Sequence, residues 1–127
     1  MRYSIYVVDD DDTLAYGIAL SLKDEHRVAV FPEAESALKG FEIEVPDLVL
    51  LDIGLPGMNG MDALRVIKGR YPGVAVIIIT GYEDVDTVAL AMKLGAYDYV
   101  TKPLHMGALK LHVKNAFEFI QMKKAGR

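Results

Sequence analysis

The chain has 127 residues and no cysteine. Disulfides and thiolate metal sites are therefore excluded, and nothing points to an oxidising compartment. Long apolar runs are missing as well. Met1-Arg2-Tyr3-Ser4 leads straight into a short apolar segment that ends in four aspartates, Asp9 to Asp12. That is neither a signal peptide nor a transmembrane span, so a soluble, cytoplasmic protein with no membrane contact is expected. A basic excess is also lacking. Eighteen acidic residues face fourteen basic ones, and the net charge of −4 argues against this domain gripping nucleic acid itself. No Walker-type loop occurs, and no Gly-x-Gly-x-x-Gly follows the first apolar segment. His26, His105 and His112 have no metal-ligand spacing and read as surface or packing residues.

What remains is an ordinary globular composition, 52% apolar and 25% charged, with a length that suits one domain. Five apolar runs alternate with five amphipathic stretches. The runs are Ser4–Val8, Arg27–Phe31, Asp47–Leu51, Val74–Ile79 and Tyr97–Val100. They recur about every 22 residues, the length of one strand plus one helix with tight loops. The third and fourth are apolar without alternation, as strands covered on both faces are.

The helical stripes are Leu14, Ile18, Ala19, Leu22; then Ala34, Ala37, Leu38, Phe41; then Ala63, Leu64, Ile67. Val85, Val88, Ala89, Met92 make the fourth, and Leu109, Val113, Ala116, Phe117, Ile120 the fifth. Pro46, Pro72-Gly73 and Gly95 punctuate the pattern. The expectation is a doubly wound (βα)₅ domain over residues 1–120: a five-stranded parallel sheet with helices on both faces, of flavodoxin-like architecture. The basic, helix-prone stretch 121–127 reads as the start of a linker or tail.

In such sheets ligands sit beyond the carboxyl ends of the strands. The strands end in Asp9-Asp10, Asp52, Thr80 and Thr101-Lys102, so three acids, a hydroxyl and a lysine converge on one edge. Individually each has a plain explanation: Asp11, Asp12 and Thr13 suit the cap and first turn of a helix. Together they do not. Two carboxylates ~4 Å apart repel by roughly 4 kcal/mol at an effective dielectric of 20. Something cationic must offset them, and a hard divalent ion such as Mg²⁺, with Lys102 as a point charge, fits best.

These residues resemble the response-regulator receiver family at each expected position. The acid pair lies in Val7-Val8-Asp9-Asp10. The acceptor segment reads Leu50-Leu51-Asp52-Ile53-Gly54-Leu55-Pro56-Gly57-Met58-Asn59-Gly60. The hydroxyl lies in Ile78-Ile79-Thr80-Gly81, and the lysine in Tyr99-Val100-Thr101-Lys102-Pro103. The resemblance covers essentially the whole chain. The phrasing Lys93-Leu94-Gly95-Ala96-Tyr97-Asp98-Tyr99 is similar to receivers of NtrC-like transcription regulators.

The resemblance implies roles. Asp52 is the expected phosphoacceptor. Asp10 is the expected direct ligand of Mg²⁺, or of Mn²⁺. Asp9 holds the ion through water, and Asp52 and the Gly54 carbonyl complete the protein's share. Thr80 and Lys102 bind the phosphoryl group, and Tyr99 follows Thr80 inward. Pro56, Gly60, Gly81 and Pro103 support the site, with a cis peptide at Lys102-Pro103. Gly54 and Tyr82 are less standard, at positions that influence how water reaches the acyl phosphate.

The implied partners are a sensor histidine kinase or phosphotransfer protein, an output domain or target outside this chain, and a second copy through helix four, strand five and helix five. The chain catalyses only its own phosphorylation and dephosphorylation.

Two rivals differ in class. Asp9-x-Asp11-x-Thr13 imitates the nucleophile motif of haloacid-dehalogenase-like phosphatases. However, that family's later acid pair is missing, no cap domain fits this length, and Asp52 would go unexplained. A flavodoxin-like flavin carrier would need a hydroxyl- and glycine-rich phosphate loop where four aspartates stand.

Overall fold

A computed structural model describes residues 2–55, 57–81 and 85–126. Pro56 and Tyr82, both singled out above, lie outside the described residues. Strands β1 (Ser4–Val8), β2 (Arg27–Phe31), β3 (Leu48–Asp52), β4 (Ala75–Thr80) and β5 (Asp98–Thr101) alternate with five helices. These are α1 (Asp12–Leu22), α2 (Ala34–Phe41), α3 (Gly60–Arg70), α4 (Val85–Lys93) and α5 (Met106–Ala125). All strand pairs are parallel, in the order β2-β1-β3-β4-β5. The fold is the expected doubly wound, flavodoxin-like one. The chain direction switches between β1 and β3, which places a crevice beyond Val8 and Asp52.

The core explains why the interiors of β1, β3 and β4 are apolar without alternation. Ile5, Val7, Leu48, Leu50, Ile77 and Ile79 face α1 and α5. Their neighbours Tyr6, Val8, Val49, Leu51, Val76 and Ile78 face α2, α3 and α4. Each strand is buried on both sides, so no alternation survives in the sequence.

Several details differ from expectation. β3, β4 and β5 begin and end one residue later than the apolar runs, because ladder bonds continue to the polar residues Asp52, Thr80 and Thr101. The packed side of α1 is Ala15, Ile18 and Leu22, with Leu14 and Ala19 only half-buried. The α4 stripe is corrected outright. Ala91 is buried and Thr87 and Val88 are half-buried, whereas Val85, Ala89 and Met92 are exposed. Six of the nine residues in α4 are apolar, so periodicity cannot pick out which side packs.

The end of α4 is sharply made. Gly95, at φ +108°, lets its own N–H reach Met92 O (3.1 Å) and the Ala96 N–H reach Ala91 O (3.1 Å). This pair of bonds satisfies the last carbonyls and turns the chain into β5. Helix α5 continues to Ala125, past residue 120.

Candidate functional site

Two acids are delivered by the ends of the two central strands. Asp9 follows β1, its N–H bonded to Phe31 O at 3.1 Å, and its side chain is 0% exposed. Its Oδ1 accepts from Asp11 N (2.9 Å), which shapes the turn into α1. Asp11 then caps that helix by accepting from Leu14 N (3.0 Å), with Asp12 in the first turn. Asp52 closes β3, is buried, and accepts from Gly54 N (3.1 Å) through Oδ1. Asp10 is exposed, yet one carboxylate oxygen each from Asp9, Asp10 and Asp52 lie within 4.8 Å of one another.

Lys102 follows β5, and its Nζ stands 3.4 Å from both Asp9 Oδ2 and Asp52 Oδ2. One ammonium thus sits between two buried carboxylates. The contact with Asp52 has hydrogen-bond geometry. Asp9 Oδ2 is left buried with no hydrogen bond, only the longer ionic contact.

The protonation equilibria follow. Burial pushes the Asp9 carboxyl above its ordinary 3.8; Asp52 adds to this, while the Asp11 N–H and Lys102 partly oppose it. Burial alone would lower Lys102, but the carboxylates of Asp52 and Asp9 outweigh it and hold the ammonium above 10.5. The lysine is strongly committed to its charge, and a single lysine does not neutralise three acids.

Three converging carboxylates, one with a buried oxygen lacking a hydrogen bond, match the all-oxygen chemistry of a hard cation. Asp9, Asp10 and Asp52 fit Mg²⁺.

Thr80 ends β4 and is buried beside this cluster in the strand register, and its carbonyl accepts from Lys102 N (2.8 Å). A Cβ added at Gly81 would meet nothing within 4 Å. Gly60 opens α3 against the end of β3, where a Cβ would lie 2.5 Å from Asp52 O, so only glycine fits. Gly54 is exposed, two residues after Asp52. The Lys102–Pro103 peptide is cis, as the resemblance implied. Tyr99 points away from the cluster, 41% exposed.

The histidines stand apart from the site. His26 packs on Phe117 (4.7 Å between rings), His112 Nδ1 lies 2.6 Å from Asp98 Oδ2, and His105 is exposed before α5. The sequence reading missed one residue. Glu35, on α2, reaches the loop after Asp52 by accepting from Met58 N (3.2 Å). A glutamate in a helix's first turn carries no sequence signal of that contact.

Comparison with known proteins agrees with this geometry. The pattern of the family described as "Response regulator receiver domain" matches residues 5–114. A putative NtrX-like response regulator of Rickettsia felis is 37% identical over 97% of this chain, which spans 26% of that protein. The DNA-binding response regulator MtrA of Mycolicibacterium smegmatis is 41% identical over 90% of this chain and 50% of its own. The crystal structure of the NtrX receiver domain from Brucella abortus superposes with a TM-score of 0.85 at 36% identity, covering 90% of this chain and 98% of that one. Neither a phosphatase of the haloacid-dehalogenase type nor a flavin carrier accounts for these matches. The chain belongs to the response regulator receiver domain family of two-component signalling.

Proposed function

We propose that Asp52 is the phosphoacceptor of this receiver and that the reaction needs Mg²⁺. The observation that carries the reading is Lys102 Nζ, 3.4 Å from both Asp52 Oδ2 and Asp9 Oδ2 in a cluster of three acids. A carboxylate oxygen of Asp52 attacks the phosphorus atom of a phosphohistidine. The P–N bond breaks, the imidazole leaves, and a mixed anhydride forms on Asp52. Bound Mg²⁺ would neutralise charge on the equatorial oxygens of the transferring group, and Asp10, Asp9, Asp52 and the Gly54 carbonyl would hold it. Lys102 pairs with a further phosphoryl oxygen, and Thr80 donates its hydroxyl. Tyr99 follows Thr80 inward, with Gly81 leaving room beside it and Gly60 and Pro103 shaping the loops. Positioning and charge neutralisation do most of the work.

The donor is a sensor histidine kinase or phosphotransfer protein, and water later cleaves the anhydride, so the domain is not a turnover enzyme. The chain spans about a quarter of the length of its NtrX-like relatives. Output, including any DNA binding, then belongs to chain beyond this domain, with residues 121–127 leading toward it, and the setting is cytoplasmic. Among the described residues no helix is long and apolar enough to cross a membrane.

Incubation with acetyl phosphate and Mg²⁺ should add one phosphoryl group by intact mass, with none added to Asp52→Asn. Equal labelling of that variant would overturn the assignment.

A further inference from the structure

The loop that follows the acceptor is held at both ends by its own neighbours. Ile53 N donates to Ile79 O (3.1 Å), and Gly60 N donates to Ile53 O (3.0 Å). Gly54 N is tied to Asp52 Oδ1 (3.1 Å). Asn59 is engaged with α3, where its side chain caps Asp62 N (2.9 Å). Met58 has a different anchor. Glu35 Oε2 accepts from Met58 N (3.2 Å), a side-chain bond that comes from another helix.

The seat for this carboxylate is specific. Gly57 has φ +69°, and a Cβ there would stand 2.7 Å from Glu35 Oε2. The carboxylate lies against a residue whose positive φ favours glycine. Glu35 is also in the first turn of α2, where its charge suits the helix dipole, and Phe41 on the same helix packs in the core. Glu35 is exposed, and the bond is open to solvent.

We infer that Glu35 is a positioning residue for the acceptor loop: it fixes Gly57–Met58 and thereby aims the Gly54 carbonyl at the cation site. The inference rests on the reading of the Asp9, Asp10, Asp52 cluster as that site. Gly54 has no side chain to anchor itself, and it stands between Asp52 and the clasp. Loss of the clasp frees the loop where a ligand atom must be pre-placed, and pre-placement governs how tightly a cation is held.

The test uses Glu35→Ala and Glu35→Gln, the latter keeping an acceptor oxygen without the charge. Mg²⁺ is titrated into metal-free protein and followed by the amide signals of Asp52 and Gly54. Amide exchange is measured at Met58 and, as a core reference, at Leu64. Glu35→Ala should raise the Mg²⁺ midpoint about threefold to tenfold, the range expected for one lost hydrogen bond. It should speed exchange at Met58 and leave Leu64 alone. Labelling by acetyl phosphate should recover to within about twofold of the parent rate at saturating Mg²⁺. Glu35→Gln should restore the midpoint. An unchanged midpoint in Glu35→Ala overturns the inference. So does a Gln variant that behaves like Ala, because charge and not the bond would then be responsible. A parent that binds Mg²⁺ but takes no label on Asp52 refutes the phosphoacceptor reading instead, and the clasp is still judged on its midpoint.

Discussion

Asp10 and Asp9 are adjacent in the chain and opposite in environment. Asp9 is fully buried, one of its oxygens has no hydrogen bond, and its acidity is weakened by burial. Asp10 is exposed and adds a third carboxylate to the group. Its replacement therefore relieves repulsion without opening a cavity. Asp10→Asn should raise metal-free stability by about 0.5–1 kcal/mol, an estimate for a screened, exposed charge. Mg²⁺ binds the folded cluster and hardly the unfolded chain, so it should stabilise the parent more than the variant. Urea melts in EDTA and in Mg²⁺ measure both effects, and a variant less stable than the parent in EDTA would contradict the repulsion argument. At this scale the sequence was informative, since acids, hydroxyl and lysine at strand ends must share one edge of a parallel sheet. It could not say that Asp9 would be buried and Asp10 exposed, because that depends on where the turn bonded by Asp11 N sends the chain.

Strands were more legible than helix faces for a physical reason. A strand buried on both sides is apolar without alternation, as β1, β3 and β4 are apart from Ser4, Asp52 and Thr80 at their ends. Helix α4 is apolar at positions that face solvent too, so its packed line through Ala91 was invisible. The loop before β2 shows the same limit. By sequence, His26 reads as a surface or packing residue; its Nδ1 accepts from Tyr3 N (3.3 Å) and its ring lies 4.7 Å from Phe117 of α5. Burial lowers its pKa below 6.5, Arg2 lowers it further, and Glu25 only partly opposes this. The unfolded chain therefore takes up the proton first. The contribution is complete above pH 6.5 and is lost as pH falls through the folded-state value. The stability difference between the parent and His26→Gln, from urea melts at pH 7.5 and pH 5.5, should shift toward the variant at the lower pH. A pH-independent difference would mean that the ring is solvated and titrates as in the unfolded chain.

Across the whole molecule the site and the exposed apolar surface are joined by one strand. Thr80 and Lys102 are linked by the Lys102 N to Thr80 O bond (2.8 Å), so β4 and β5 carry the site's hydroxyl and ammonium as a unit. Beyond β5, Val85, Leu90 and Met92 of α4, Tyr99 of β5 and Phe119 of α5 are all 39% exposed or more. So much exposed apolar side chain on neighbouring elements is typical of a surface meant to be covered. A phosphoryl group that draws Thr80 inward leaves space behind it, and Tyr99 is the adjacent large side chain able to fill it. On the proposed reading, that movement would change the shape of the same face, a local event read as a two-state change. The phosphoryl mimic beryllofluoride with Mg²⁺ should therefore shift sedimentation from monomer toward a twofold dimer through α4, β5 and α5. Met92→Glu, which places charge in that face, should weaken the dimer without preventing phosphorylation of Asp52. If the mimic changes neither the mass nor amide exchange in α4 and β5, this face does not carry the signal and another surface must. A dimer that survives Met92→Glu intact would place the contact elsewhere.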